Sequence, residues 1–148
     1  MSSETQLPEF SVSAESNDAA QTTVSTRGHE FVVDEPTANG GQDEGPTPVE
    51  YLLGAWAGCL NVTGHAVADD HDITIESLEI DLAGGLDPRK LQGRADDVRA
   101  GFQHIEVELD VESDATEEEL DAWLAAVEER CPVADNLTNE TPTTLGFA

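Results

Sequence analysis

Only two cysteines occur in the 148 residues, Cys59 and Cys131, and both stand where thiol chemistry is possible. Cys59 lies inside the run "LLGAWAGCLNVTGHAV", and Cys131 stands between Arg130 and Pro132 in "EERCPVADNL". A cysteine attacks only as its thiolate, so its pKa must fall from about 8.5 through a neighbouring cation or a helix start. The chain as a whole opposes that fall, because 32 acidic residues face six basic ones, for a formal charge of -26. A reactive thiol here therefore calls for one of the five arginines nearby. Cys131 meets the negative end of the helix that leads to it, which keeps it a thiol. Cys59 is remote from both ends of its helix, so its activation falls to tertiary neighbours. The pattern favours Cys59 as a selectively activated nucleophile and Cys131 as the thiol that attacks it later. The competing reading makes both core filler, since free cysteine is among the most buried residue types.

The elements that must position these thiols follow from periodicity. From Phe10 to Asp34 three β-branched or alternating segments, separated by Asn, Asp and Gly, predict an antiparallel meander. A Gly-rich acidic loop, "TANGGQDEGP", leads to a helix marked by Thr47 as N-cap, Pro48 at the first position and Glu50 closing a capping box. Leu52, Leu53, Trp56, Cys59, Leu60, Thr63 and Val67 recur at helical spacing, predicting a helix to about Asp69 that is buried along most of its length. "ITIESLEIDLAGGLD" and "FQHIEVELDVES" alternate as strands, and the polar "PRKLQGRADDVRA" between them reads as an ordered loop or an irregular hairpin arm. A second capping box, Thr116 with Glu119, opens the helix "EEELDAWLAAVEER", whose apolar stripe of Leu120, Trp123, Leu124 and Val127 continues to Cys131. Pro132 stops this helix or starts another. A closing strand, "TPTTLGF", completes a βββ-α-ββ-α-(α)-β order, an α+β fold in a single domain over residues 1–148 with a flexible tail over 1–8.

Composition excludes several classes. So acidic a surface repels nucleic acid and anionic lipid, whose phosphates need clustered Lys and Arg. Because the acids are spread through periodic segments, they belong to a folded surface suited to concentrated salt, as in a halophile cytoplasm. "MSSETQLPEF" has neither the basic nor the apolar region of a secretory signal, and no run approaches a membrane span. A soluble cytoplasmic protein is expected, in which two cysteines are metal, redox or catalytic groups rather than a structural bridge. His29, His65, His71 and His104 lack the paired spacing of a zinc site, so no metal or cofactor is expected.

The run "GPTPVEYLLGAWAGCLNVTGHAVA" resembles the P-x-E-x-L-L-x-A-x-x-G-C helix of the OsmC/Ohr family of thiol peroxidases, and "ERCPV" resembles that family's second cysteine motif. "RGHEFVVDEP" and "GGQDEGP" resemble its upstream segment. The resemblance is closer to an OsmC-like branch than to the organic hydroperoxide resistance members, whose glutamate directly follows the motif's proline where this chain has Val49. It implies an intertwined homodimer, sheets wrapped around central helices, that reduces organic hydroperoxides with a dithiol reductant. It implies Cys59 as the peroxidatic cysteine, Cys131 as the resolving one, Arg27 as the activating arginine and Glu50 as the helix-start glutamate, with Arg99 and Arg130 as substitutes for Arg27. Trp56 is expected to make an apolar pocket suited to a greasy peroxide. Glu50 precedes Cys59 by nine residues of continuous helix, a rise of about 13.5 Å, so its capping role is favoured over contact with that thiol. The alternative to an enzyme is a dimer of the same fold that binds a small ligand or senses redox state with little turnover.

Overall fold

Antiparallel strands segregated from the helices give this chain an α+β architecture, seen in a computed structural model that describes residues 5–148. The strands β1 (Ser13–Ser16), β2 (Thr22–Thr26) and β3 (His29–Val33) come first, followed by a 3-10 turn at Thr37–Asn39 and the helix α1 (Pro48–Asp70). Then come β4 (Ile75–Leu86), β5 (Phe102–Ser113), α2 (Glu117–Arg130) and α3 (Pro132–Thr138). The chain divides into two compact units, Met1–Leu52 and Leu53–Ala148. Of the expected tail, residues 1–4 lie outside the described residues, and residues 5–8 are exposed without regular structure.

The first unit is the predicted meander, in the order β1-β2-β3. Asp18 builds its first turn by accepting the N–H groups of Ala20 and Gln21 at 2.8 and 2.7 Å. Pairing of Thr26 with His29 leaves Arg27 and Gly28 as a two-residue hairpin turn. Both have positive φ, 49° and 83°, the conformation that matches the twist of the flanking strands. Just past β3 the fully buried Asp34 gathers the following loop, accepting the N–H groups of Glu35, Gln42 and Glu44 and the side-chain amide of Gln21. Gly41 is required there, since a Cβ would overlap the Glu35 carbonyl. Tyr51 ties the start of α1 to β3 by donating its hydroxyl to the Val32 carbonyl at 2.7 Å and packing on the Phe31 ring.

In the second unit β4 and β5, twelve residues each, form an antiparallel pair whose faces separate cleanly. Leu78 pairs with Val111, Ile80 with Leu109 and Leu82 with Val107 on one face, while Glu79 pairs with Asp110 and Asp81 with Glu108 on the other. The apolar face joins a core of Leu60, Val67 and Ala68 from α1, Ile73, and Trp123 and Val127 from α2. The polar segment 87–101 is a loop with turns rather than a strand arm. Both halves of the Thr116 capping box form, at 3.2 and 2.9 Å, and Pro132 starts a new helix.

Two expectations change. The buried residues of α1, one face only, begin at Leu60, because the core cluster gathers around its second half; Leu52 stays 40% exposed. The stretch Thr141–Phe147, expected as a closing strand, has no ladder partner among the described residues, and Leu145 and Phe147 are fully exposed. A strand exists only against a neighbour, so β-propensity alone could not decide this segment.

Candidate active site

Folding brings Cys59 and Cys131, 72 positions apart, to a sulfur-to-sulfur distance of 2.9 Å as two free thiols. α1 carries Cys59 on the face that continues to Thr63. Cys131 is both the C-cap of α2 and the N-cap of α3, with extended backbone at φ -78° and ψ 112°. Pro132 forces that geometry: lacking an N–H and fixed in φ, it ends one helix and opens the next at a single joint. The two elements are held together deeper in the core, where the Trp123 indole N–H donates to the Gly64 carbonyl at 2.8 Å. Gly64 allows that approach, since a Cβ there would stand 3.0 Å from the Trp123 ring. On the surface Arg130 pairs with Asp70 at 2.7 Å, an exposed bridge of small energetic weight.

The thiols differ in environment. Cys131 is wholly buried, whereas Cys59 is partly open and lines a cleft of about 450 Å³. Gly58, Val62, Ala66 and Pro132 make the cleft's apolar wall; Cys59, Thr63 and Arg130 are its polar members. Burial works against ionising Cys59, but the Cys131 S–H, the Val133 backbone N–H and the Thr63 hydroxyl outweigh it and hold its pKa below the ordinary thiol value. Burial pushes Cys131 the other way, and its hydrogen bond to the Cys59 sulfur adds to that, against smaller help from the Ala134 and Val133 amides. One thiol is thus primed to ionise while its partner keeps the proton.

The activation departs from expectation in its source. Cys59 is stabilised by thiol, amide and hydroxyl donors rather than by a cation. Arg130 lines the cleft and bonds Asp70 through Nη1, and it is not among the groups that lower the Cys59 pKa. Cys131 is kept a thiol mainly by burial, and the helix end that precedes it is offset by the helix start that follows. Arg27 occupies the β2–β3 turn of the first unit, and Arg99 lies in the 87–101 loop beside Gly101. Glu50 closes the capping box, accepting the Thr47 N–H at 2.8 Å while Thr47 accepts its N–H at 3.2 Å. Trp56 packs against the core cluster, off the cleft wall, and its indole N–H is buried without a partner among the described residues. Sequence reasoning missed Thr63 and the Val133 amide as members of the site. Spacing of i and i+4 was the available signal for Thr63, and Pro132 as a helix opener was the signal for Val133.

Residues 41–146 match the family model for OsmC-like proteins. The chain belongs to the OsmC-like protein family. Solved structures agree on the fold. The OsmC-like chain superposes on an OsmC-like protein from Mycoplasma pneumoniae with a TM-score of 0.76 at 22% identity, covering 88% of this chain and 87% of that one. An organic hydroperoxide resistance protein from Elizabethkingia anophelis gives 0.64 at 19% identity over 91% of each chain. The organic hydroperoxide resistance protein OhrB of Bacillus subtilis gives 0.60 at 22% identity, over 90% of this chain and 93% of its own. No curated protein matches this OsmC-like chain in sequence. None of its described helices is long and apolar enough to cross a membrane.

Proposed function

We propose that this OsmC-like protein is a thiol peroxidase that reduces organic hydroperoxides with Cys59 as the peroxidatic and Cys131 as the resolving cysteine. The observation that carries the reading is the asymmetric pair itself: sulfurs 2.9 Å apart, one facing an apolar cleft and the other wholly buried. Hydroperoxide resistance in the names of two structural relatives supports the substrate class.

The chemistry balances on these two residues. The Cys59 thiolate attacks the terminal oxygen of ROOH, the O–O bond breaks, and RO⁻ leaves to take a proton from water as ROH. Cys59 is then a sulfenic acid, oxidised by two electrons. Cys59 opens on the cleft and Cys131 does not line it, so the peroxide meets Cys59 first. Cys131 attacks the Cys59 sulfur, the S–S bond forms and the S–O bond breaks. Hydroxide leaves with the Cys131 proton as water. An external dithiol then returns both cysteines to thiols and becomes a cyclic disulfide. The wall of Gly58, Val62, Ala66 and Pro132 supports a substrate with an alkyl or aryl tail.

Arg27 and Glu50 keep their proposed roles on the family resemblance alone, and Trp56 keeps its substrate role only as a bulky apolar side chain on the Cys59 helix. A homodimer, likewise implied by the family, is supported by the apolar side chains left uncovered in the single chain, among them Val62, Leu145 and Phe147. The paired acids on the outer face of the hairpin support work in a salt-rich cytoplasm. The test is turnover of cumene hydroperoxide with excess dithiothreitol. Loss of peroxide consumption in Cys59→Ser, and a dimedone-trappable sulfenic acid that persists in Cys131→Ser, is the expected outcome; full consumption by Cys59→Ser sinks the reading.

A further inference from the structure

We propose that Thr63 is a further catalytic residue, whose hydroxyl hydrogen-bonds the Cys59 sulfur in the resting site and shifts to the leaving oxygen as the peroxide bond breaks. The inference rests on the peroxidase reading above and adds a group that sequence motifs did not single out. Its first support is position. Four residues along α1 from Cys59, Thr63 shares the same helix face, and its Oγ1 lies 3.8 Å from the Cys59 Sγ, within reach of a sulfur hydrogen bond. It is 7% exposed, and what remains open faces the cleft that Cys59 also lines.

Elimination among the neighbouring donors is the second support. The Cys131 thiol and the Val133 amide hydrogen-bond Cys59, but neither residue stands on the cleft wall. Arg130 lines the cleft, but it is not among the contacts of the Cys59 sulfur in the described residues; its Nη1 bonds Asp70. Of these donors in the described residues, Thr63 touches both the reacting sulfur and the space where the peroxide arrives. In a helix a threonine hydroxyl commonly bonds the carbonyl four residues back; here its hydrogen-bond partner among the described residues is the sulfur.

The third support is chemical. When the thiolate takes the terminal oxygen, negative charge appears on the second oxygen, two bonds removed from sulfur. A hydroxyl 3.8 Å from that sulfur and on the cleft wall can come within hydrogen-bond reach of the second oxygen when the peroxide approaches along that wall. A hydroxyl has one donor and two acceptor sites, so it can leave the sulfur as the sulfur's charge is spent and bond the alkoxide as charge grows there. It supplies a hydrogen bond and keeps its proton; the alkoxide is protonated by water in the cleft.

Thr63→Val removes the hydroxyl at almost constant shape, and Thr63→Ser keeps it. Two rates are to be measured on the full chain: oxidation of Cys59 by cumene hydroperoxide, and alkylation of Cys59 by iodoacetamide across pH. Thr63→Val is expected to raise the pH midpoint of alkylation. At a pH where Cys59 is fully ionised in every variant, it is expected to slow oxidation by at least about tenfold while alkylation is unchanged. Thr63→Ser should stay within about threefold of the parent in both rates. Wild-type oxidation by Thr63→Val, or a slowing no larger than its lost thiolate fraction explains, overturns the proposal. Failure of the parent protein itself to react with hydroperoxide is a separate outcome: it removes the peroxidase reading and this inference with it.

Discussion

The Trp123 indole N–H donates to the Gly64 carbonyl at 2.8 Å, and this buried bond fixes how α2 lies on α1 between the two thiols it serves. Gly64 follows Cys59 by little more than one helical turn, and Trp123 precedes Cys131 on the same apolar stripe. Trp123→Phe should lose about 1 kcal/mol for the hydrogen bond, with a further loss for the smaller ring. Disulfide formation after peroxide addition should slow, while initial oxidation of Cys59 stays near the parent rate. Rapid-quench thiol counting separates the two steps, and an unchanged rate of disulfide formation would show that the bond does not position the thiols.

Reactivity of Cys59 should depend on pH in a particular direction. Its pKa lies below the ordinary thiol value, so alkylation rises with pH as thiolate forms, with a midpoint below that of a free cysteine. Buried Cys131 does not compete for the reagent. Cys131→Ala removes an S–H donor and should move the midpoint up, whereas Cys131→Ser keeps a donor and should move it less. A parent midpoint at or above the free-cysteine value contradicts the assigned environment.

Salt should stabilise this protein through identifiable pairs. Glu79 faces Asp110 and Asp81 faces Glu108 directly across the hairpin, and like charges so placed destabilise by about 0.5 kcal/mol per pair. Tm should rise steadily from dilute buffer to molar KCl as the repulsion is screened. Glu79→Lys should raise Tm in dilute buffer and lose that advantage in molar salt. A Tm that ignores salt, or a Glu79→Lys gain that survives molar KCl, argues against repulsion between these pairs.

Asp34 gives a second pH dependence, located in the first unit. Burial raises the pKa of its carboxyl, but donation from the Glu35, Glu44 and Gln42 amides and the Gln21 side chain outweighs this and leaves it below the usual carboxylate value. The stability it contributes is therefore complete above the unfolded value of about 3.9 and is lost as pH falls through the lower folded value. Asp34→Asn should lower Tm at neutral pH and show a shallower fall in Tm on acidification. Equal acid limbs for the two proteins would remove Asp34 from the account.

Much of the architecture was legible because period and capping agree with tertiary structure. The meander, both capping boxes and the alternation of β4 and β5 are local signals, and each is found where the residues indicate. What was illegible depends on neighbours. Thr141–Phe147 carries strand propensity without a partner among the described residues, and the first half of α1 carries an apolar stripe that the core does not fully cover. At the site, the two cysteines could be singled out by type and place, but the source of activation could not. An acidic composition pointed to a cation, whereas the packed joint at Cys131 supplies neutral donors that composition does not count.

The most direct test of the central claim is the mass of the intact protein under non-reducing conditions after one equivalent of cumene hydroperoxide. The proximity of Cys59 and Cys131 predicts a loss of two hydrogens, with peptide mapping assigning a Cys59–Cys131 bond within one chain, formed faster than in an unrelated dithiol protein. Unchanged mass with both thiols still free, or a bond between other partners, contradicts the two-cysteine peroxidase.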